Sequence, residues 1–247
     1  MEFGIVPSLL REPDAVREAI RRTGGTPVNR DLTEIDDLDA IPVTGDDAVH
    51  DAIEAGIAAP LLPIETRTGL GSIPGTAIEE AVTALIKGNG TTIERQSIDL
   101  AVPDGTDATA ISEIALVTDE PAEISEFAIM SGGNRVAQYR ADGTVVATPP
   151  GSCGYARAVG GPILAPGIDS VVTITIAPYR IDPDHWILPP DDIEITVTRD
   201  ESDVVAIADG MVVGPIETGD PVRITKGRPY RTLTVPPSES PFSTRTD

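Results

Sequence analysis

The apolar pattern of this chain changes character once, near residue 91, and that change limits the fold more than any other feature. Before it, short apolar runs alternate with stretches of helical period. Phe3 to Val6, Asp39 to Val43 and Leu61 to Ile64 read as strands. Glu12 to Arg22 reads as a helix with Val16, Ala19 and Ile20 on one face and a stop at Gly24-Gly25. Ala48 to Ile57 and Ala77 to Lys87, the latter ending at Gly88, have the same period. Strands alternating with helices imply a parallel α/β layer.

Beyond residue 91 the runs are short, β-branched and spaced by Gly, Pro and Asp turns such as Ala141-Asp142-Gly143 and Ala208-Asp209-Gly210. Strands are expected at Thr92 to Val102, Ile111 to Val117, Ile124 to Met130, Arg135 to Tyr139 and Thr144 to Thr148. Four more are expected at Ser170 to Ile176, Asp192 to Thr198, Val204 to Ile207 and Val222 to Lys226. That half reads as two packed sheets. The expected organisation is an α/β domain over 1–91, a β-sandwich over 92–234 and a loose Pro-, Ser- and Thr-rich tail over 235–247.

Charge narrows the partners. Forty acidic residues against 18 basic ones give a net charge of −22, which repels nucleic-acid backbones and anionic lipid. The hydrophobic fraction of 40% is that of a folded domain. Abundant carboxylates, two lysines (Lys87 and Lys226) and 3% aromatics fit a protein that works in concentrated salt. They fit an ordinary acidic protein as well. At molar salt the Debye length falls to about 3 Å, so such a charge would cost little there.

Cys153 is the single cysteine, and His50 and His185 lack zinc-site spacing, so no disulfide and no metal-ligand set is expected. The N-terminal residues lack a signal-peptide pattern, and no apolar run approaches the roughly 20 residues of a membrane span. A cytoplasmic location is the expectation.

One segment stands apart: Asp142-Gly143-Thr144-Val145-Val146-Ala147-Thr148-Pro149-Pro150-Gly151-Ser152-Cys153-Gly154-Tyr155, continuing to Gly160-Gly161-Pro162. A strand leaves a tight turn and ends in a loop of small residues. Such a loop lets a ligand approach the backbone, with Tyr155 to stack on it. A structural hairpin end with a packed tyrosine reads equally well from the local chemistry.

The order of these residues resembles the NAD kinase family, whose hallmark is an Asp-Gly turn, a strand, a Thr-Pro-x-Gly-Ser/Thr-Thr-Ala-Tyr loop and then Gly-Gly-Pro. The resemblance extends upstream to Ala110-Ile111-Ser112-Glu113-Ile114, where the family has Ala-Leu-Asn-Glu-Val. Downstream it takes in Ile176-Ala177-Pro178, His185 to Pro189, Asp209-Gly210 and Gly219 to Ile224. The family's Gly-Gly-Asp-Gly-Thr motif falls at Thr44-Gly45-Asp46-Asp47-Ala48, where Gly45 and Asp46 match and the flanking residues differ. Its Asn-x-Gly-x-Leu-Gly-Phe-Leu element is reduced to Thr66-Arg67-Thr68-Gly69-Leu70-Gly71-Ser72-Ile73.

The resemblance implies an N-terminal Rossmann-like α/β domain joined to a C-terminal all-β sandwich. It implies phosphorylation of the adenosine-ribose 2′-hydroxyl of NAD by ATP or polyphosphate, with a divalent ion such as Mg2+ carried on the donor. Asp46 falls on the proton-accepting aspartate. Gly45, Asp47, Ser112, Glu113, Arg140, Asp142, Cys153, Gly154, Tyr155 and Ala158 fall on substrate-binding positions. A homodimer or homotetramer is implied too.

Two other readings stand beside this one. Asp47 places a carboxylate where the family offers bare backbone to phosphate, which fits an NAD(P)-binding pseudokinase. A related kinase acting on another hydroxyl is the third reading, since lipid and sphingosine kinases share a Gly-Gly-Asp-Gly turn on a similar architecture. In its plainest reading, the Asp46-Asp47 pair is a solvated turn capping the helix from Ala48.

Overall fold

The computed structural model describes residues 1–32, 38–120, 123–179, 184–200 and 202–242. Contacts divide the chain into two units, Met1–Arg95 with Arg228–Asp247, and Gln96–Gly227.

In the first unit, β1 (Glu2–Ile5), α1 (Pro13–Arg22), β2 (Thr26–Asn29), β3 (Ile41–Thr44), α2 (Asp46–Glu54), β4 (Leu61–Ile64) and α3 (Ile78–Ile86) follow one another. The strands run parallel in the order β2-β1-β3-β4, the β1 to β3 link being the Phe3–Ala40 bridge. β2 has no counterpart among the expected strands. Its sequence, Thr-Pro-Val-Asn, is polar and half-exposed, and Pro27 suits an edge. Pro13 at the first turn of α1, Asp14 beside it and Arg21 and Arg22 at the far end match the helix's backbone geometry and dipole. Val16 and Ile20 of α1 pack with Ala81, Val82 and Leu85 of α3 and with Phe3, Ile5 and Leu62 of the sheet. α2 buries Ala48, Val49, Ala52 and Ile53.

The second unit is all β apart from short helical turns. It contains β5 (Thr91–Ala101), β6 (Asp107–Ala110), β7 (Glu113–Thr118), β8 (Ser125–Ser131), β9 (Asn134–Ala141) and β10 (Gly143–Ala147). The short helix α4 (Tyr155–Ala158) follows, then β11 (Val171–Ile176), β12 (His185–Leu188), β13 (Ile193–Arg199), β14 (Val204–Ala208), β15 (Met211–Ile216) and β16 (Pro221–Thr234). One sheet has the antiparallel order β12-β11-β10-β7-β14-β15. The other runs β6-β5-β16-β13-β8-β9.

Alternation along each strand fills the space between the sheets. Ile114 and Leu116 of β7, Val146 of β10, Phe127 and Ile129 of β8 and Ile193 and Ile195 of β13 share one core. The opposite face of the first sheet is apolar as well. Ala115, Val145, Ala147, Val172 and Ile174 pack there with Ala156 and Leu164. Burial on both faces explains why β10 reads Gly-Thr-Val-Val-Ala without polar alternation.

The boundaries differ from the expected ones in three places. The units part at Arg95/Gln96 rather than 91/92, so the division falls inside β5, whose first residues, 91–95, belong to the first unit. β16 continues past the expected end at Lys226, and its last residues, 228–234, belong to the first unit, where Thr232 pairs in parallel with Leu61. The start of the expected tail is fixed: Val235 is buried, its N–H donates to Ser238 Oγ at 3.0 Å, and the Glu239 N–H donates to the Ser72 carbonyl at 2.8 Å. Residues 243–247 lie outside the described residues. β6, β12 and β15 also lie outside the expected strands.

Candidate active site

β7 sets the floor of a cavity in the second unit. Its alternation sends Ile114 and Leu116 inward, so Glu113, Ala115 and Val117 project from the other face. In register beside them lie Ile207 on β14, opposite Ala115, and Gly143 on β10, opposite Val117 and Ile176. The resulting cavity of about 420 Å³ is lined by Glu113, Ala115, Val117, Thr118, Asp142, Tyr155, Ile176, Ile207 and Gly210. Its floor is apolar, and two carboxylates and a phenol stand on its walls.

Backbone bonds hold those walls. The Asp142 N–H donates to Ile176 O at 3.0 Å, and Asp142 O accepts from the Thr118 N–H at 2.9 Å. Asp209 positions Glu113: its carboxylate accepts the N–H groups of Ile111, Ser112 and Glu113 at 2.7, 2.9 and 2.9 Å. The Asp209 N–H in turn donates to Glu113 O at 2.9 Å. This turn needs a left-handed backbone, and Asp209 takes φ 48°, a conformation that aspartate tolerates better than most side chains. The Thr148 hydroxyl donates to the carbonyls of Ile111 and Ser112 at 2.7 and 3.0 Å.

The loop after β10 closes against the same segment. A Cβ at Gly151 would overlap the Ser112 carbonyl, so only glycine fits. Gly154 lies beside Glu113, where a Cβ would stand 3.6 Å from Oε2. Tyr155 begins α4 and is 42% exposed. Partial burial, with the nearby carboxylates of Glu113 and Asp142, raises its phenol pKa above the ordinary value, so it stays a neutral donor.

Glu113, Asp142 and Tyr155 are therefore brought together, with Gly154 at their side. The other expected residues of this unit lie off the lining. Ser112 is fully buried, and it serves through its main chain. The Cys153 sulfur turns toward Pro149 O at 3.9 Å. Ala158 is exposed at the end of α4. Arg140 is half-buried on β9, where its charge helps hold Glu126 below the usual carboxylate range, behind the larger effects of hydrogen bonds from Gln138 and Thr198.

In the first unit, the Gly45 N–H donates to Ile64 O at 3.0 Å, and Gly45 takes φ 83°, which accounts for a glycine there. α2 starts at Asp46 rather than Ala48, with Gly45 as its N-cap and no side-chain cap bond, so the expected capping role of the Asp-Asp pair is not realised. Asp47 is exposed. Asp46 is engaged by Arg67, whose backbone N–H reaches Oδ1 at 2.9 Å and whose Nε reaches Oδ2 at 2.7 Å. A cavity of about 410 Å³ opens at the carboxyl ends of β3 and β4, lined by Arg11, Thr44, Ile64, Glu65 and Thr76 among others. Arg11 Nη1 lies 3.2 Å from Glu65 Oε2. Among the described residues, no three His, Cys, Asp or Glu side chains converge to hold a metal ion.

The family model described as the ATP-NAD kinase C-terminal domain matches residues 111–235, the stretch that builds the cavity of the second unit. An NAD kinase of Methanosarcina barkeri is 31% identical over 208 residues, covering 83% of this chain and 75% of that protein. The chain belongs to the NAD kinase family. A second member, the NAD kinase of Thermoplasma volcanium, is 31% identical over 214 residues, covering 84% of this chain and 76% of its own length.

Solved structures share the NAD kinase fold. The NAD kinase from Archaeoglobus fulgidus in complex with ATP aligns with a TM-score of 0.68 and 23% identity over 95% of this chain and 93% of that one. Yeast NADH kinase complexed with NADH aligns at 0.69 and 19% identity over 86% and 66%. Two residues of this NAD kinase chain went unrecognised as site residues in the sequence. Asp209 was visible only as half of an Asp-Gly turn. Arg67 lay inside the reduced Thr66–Ile73 element, where pairing with Asp46 depends on the fold of the first unit.

Proposed function

We propose that this chain phosphorylates the 2′-hydroxyl of the adenosine ribose of NAD, with ATP or polyphosphate as donor, to make NADP. The observation that carries the reading is the convergence of Glu113, Asp142 and Tyr155 on one apolar-floored cavity, within the stretch matched by the family model. An apolar floor suits the faces of the base and the nicotinamide, and wall carboxylates accept hydrogen bonds from ribose hydroxyls and amide N–H groups. Tyr155, held neutral, stacks or donates.

In this reading Asp46 accepts the proton of the 2′-hydroxyl. The ribose oxygen bonds to the terminal phosphorus, the bond from that phosphorus to its bridging oxygen breaks, and ADP or the shortened polyphosphate leaves. Such a transfer depends chiefly on positioning and charge neutralisation. The divalent ion is part of the donor, bound to its phosphates. The same reading takes a homodimer or homotetramer as the assembled form, the cytoplasm as its location and concentrated salt as its medium, the last supported by the net charge of −22.

The test is NADP formation by purified protein in concentrated potassium chloride with magnesium, offered ATP and polyphosphate in parallel. Time-dependent NADP from either donor is expected. NAD binding without turnover would leave a nucleotide-binding pseudokinase.

A further inference from the structure

Asp46 is tied at both carboxylate oxygens to one residue. Arg67 supplies the backbone N–H to Oδ1 at 2.9 Å and Nε to Oδ2 at 2.7 Å, with 30% and 28% of the Asp46 and Arg67 side chains exposed. The anchor is itself braced. The Thr66 N–H donates to Ser72 Oγ at 2.9 Å, the Leu70 N–H to Arg67 O at 3.1 Å, and the Glu65 N–H to Ile73 O at 3.0 Å. Thr68 Oγ1 donates to Glu239 Oε2 at 2.6 Å, and the Glu239 N–H returns to Ser72 O at 2.8 Å, so the start of the C-terminal segment holds the turn.

We propose that Arg67 is a positioning residue for phosphoryl transfer, fixing the Asp46 carboxylate in the orientation from which it takes the ribose proton; this rests on the role given to Asp46 above. Each carboxylate oxygen offers two lone-pair directions, and Arg67 takes one on each, which leaves a direction open for the incoming proton. A proton acceptor works only within about 2.6–3.2 Å of its donor, and a misplacement of about 1 Å can cost roughly 100-fold in rate. The guanidinium also sets a positive charge beside the Gly45-Asp46-Asp47 turn, where the exposed Asp47 adds a carboxylate that an anionic donor must approach.

The experiment compares Arg67→Gln and Arg67→Lys with the unmodified protein in the NADP-forming assay, reading kcat and the KM for NAD separately and following each melt by circular dichroism. The backbone N–H to Asp46 survives both substitutions, so the turn is expected to keep its fold. Arg67→Gln should lower kcat roughly 10- to 100-fold, with the KM for NAD held within about twofold. Arg67→Lys, which keeps a charged donor, should recover part of the loss. In an Asp46→Asn background, Arg67→Gln should cost little further turnover. An unchanged kcat in Arg67→Gln, or an equal further loss in the Asp46→Asn background, would overturn the positioning role while leaving the kinase reading intact. Absence of turnover in the unmodified protein would remove the kinase reading and this role with it.

Discussion

At the scale of single residues, the two sites draw on different chemistry. In the second unit, Glu113 and Asp142 stand over an apolar floor, so each contact to a ligand hydroxyl is partly shielded from water and worth more than at an open surface. Glu113→Gln keeps the size and removes the charge. It should weaken NAD binding about tenfold, equivalent to about 1.4 kcal/mol, as read by titration calorimetry. Unchanged affinity would take Glu113 out of the binding site. In the first unit, Asp47 is exposed at the second position of α2, next to Asp46 in the chain. Asp47→Gly should lower the KM for the phosphate donor, and more at low salt than at high, because screening already weakens the repulsion there. A higher KM in this variant would mean that Asp47 has become part of donor binding.

At the scale of elements, the segment from Ile111 to Glu113 is fixed from two sides, by the Asp209 carboxylate and by the loop from Thr148 to Gly151. Asp209→Ala would strand three part-buried N–H donors and put alanine at φ 48°, so a loss of about 3 kcal/mol in denaturant unfolding is expected, with weaker NAD binding. Gly151→Ala forces a methyl group into a main-chain carbonyl and should cost about 2–3 kcal/mol. A loss below about 1 kcal/mol in both variants would mean that the brace is not what holds Glu113 in place.

These elements also show what a sequence can reveal. The strand at Leu61 to Ile64 is a continuous apolar run and the helix at Ile78 to Ile86 has a helical period, and their positions follow from pattern alone. β2 and β12 do not, since Thr26–Asn29 and His185–Leu188 are half-exposed edge strands whose pairing depends on a neighbour rather than on their own apolar content. Glu113, Asp142 and Tyr155 were legible because they sit in a fixed order around tight turns. Arg67 was not, because its pairing joins residues 21 positions apart and depends on how β4 and α2 are placed.

At the scale of the whole molecule, a charge of −22 is a standing self-repulsion. One of only two lysines, Lys226, is held by Asp169 at 2.6 Å and Asp191 at 3.4 Å, and the hydrogen bond to Asp169 is the main cause raising its pKa. All 18 basic residues together leave the 40 acidic ones in large excess. The melting temperature should therefore rise as potassium chloride is increased from about 0.1 M to about 2 M, since shorter screening lengths remove repulsion between carboxylates. A flat or falling melting temperature would contradict the proposal that the protein works in concentrated salt. The central claim is the proposed phosphorylation of NAD with Asp46 as the proton acceptor. The measurement that tests it most directly is kcat for NADP formation by Asp46→Asn, taken with the NAD dissociation constant on the same preparation. The account predicts turnover reduced by roughly 100-fold or more with NAD affinity unchanged. Undiminished turnover in that variant would contradict it.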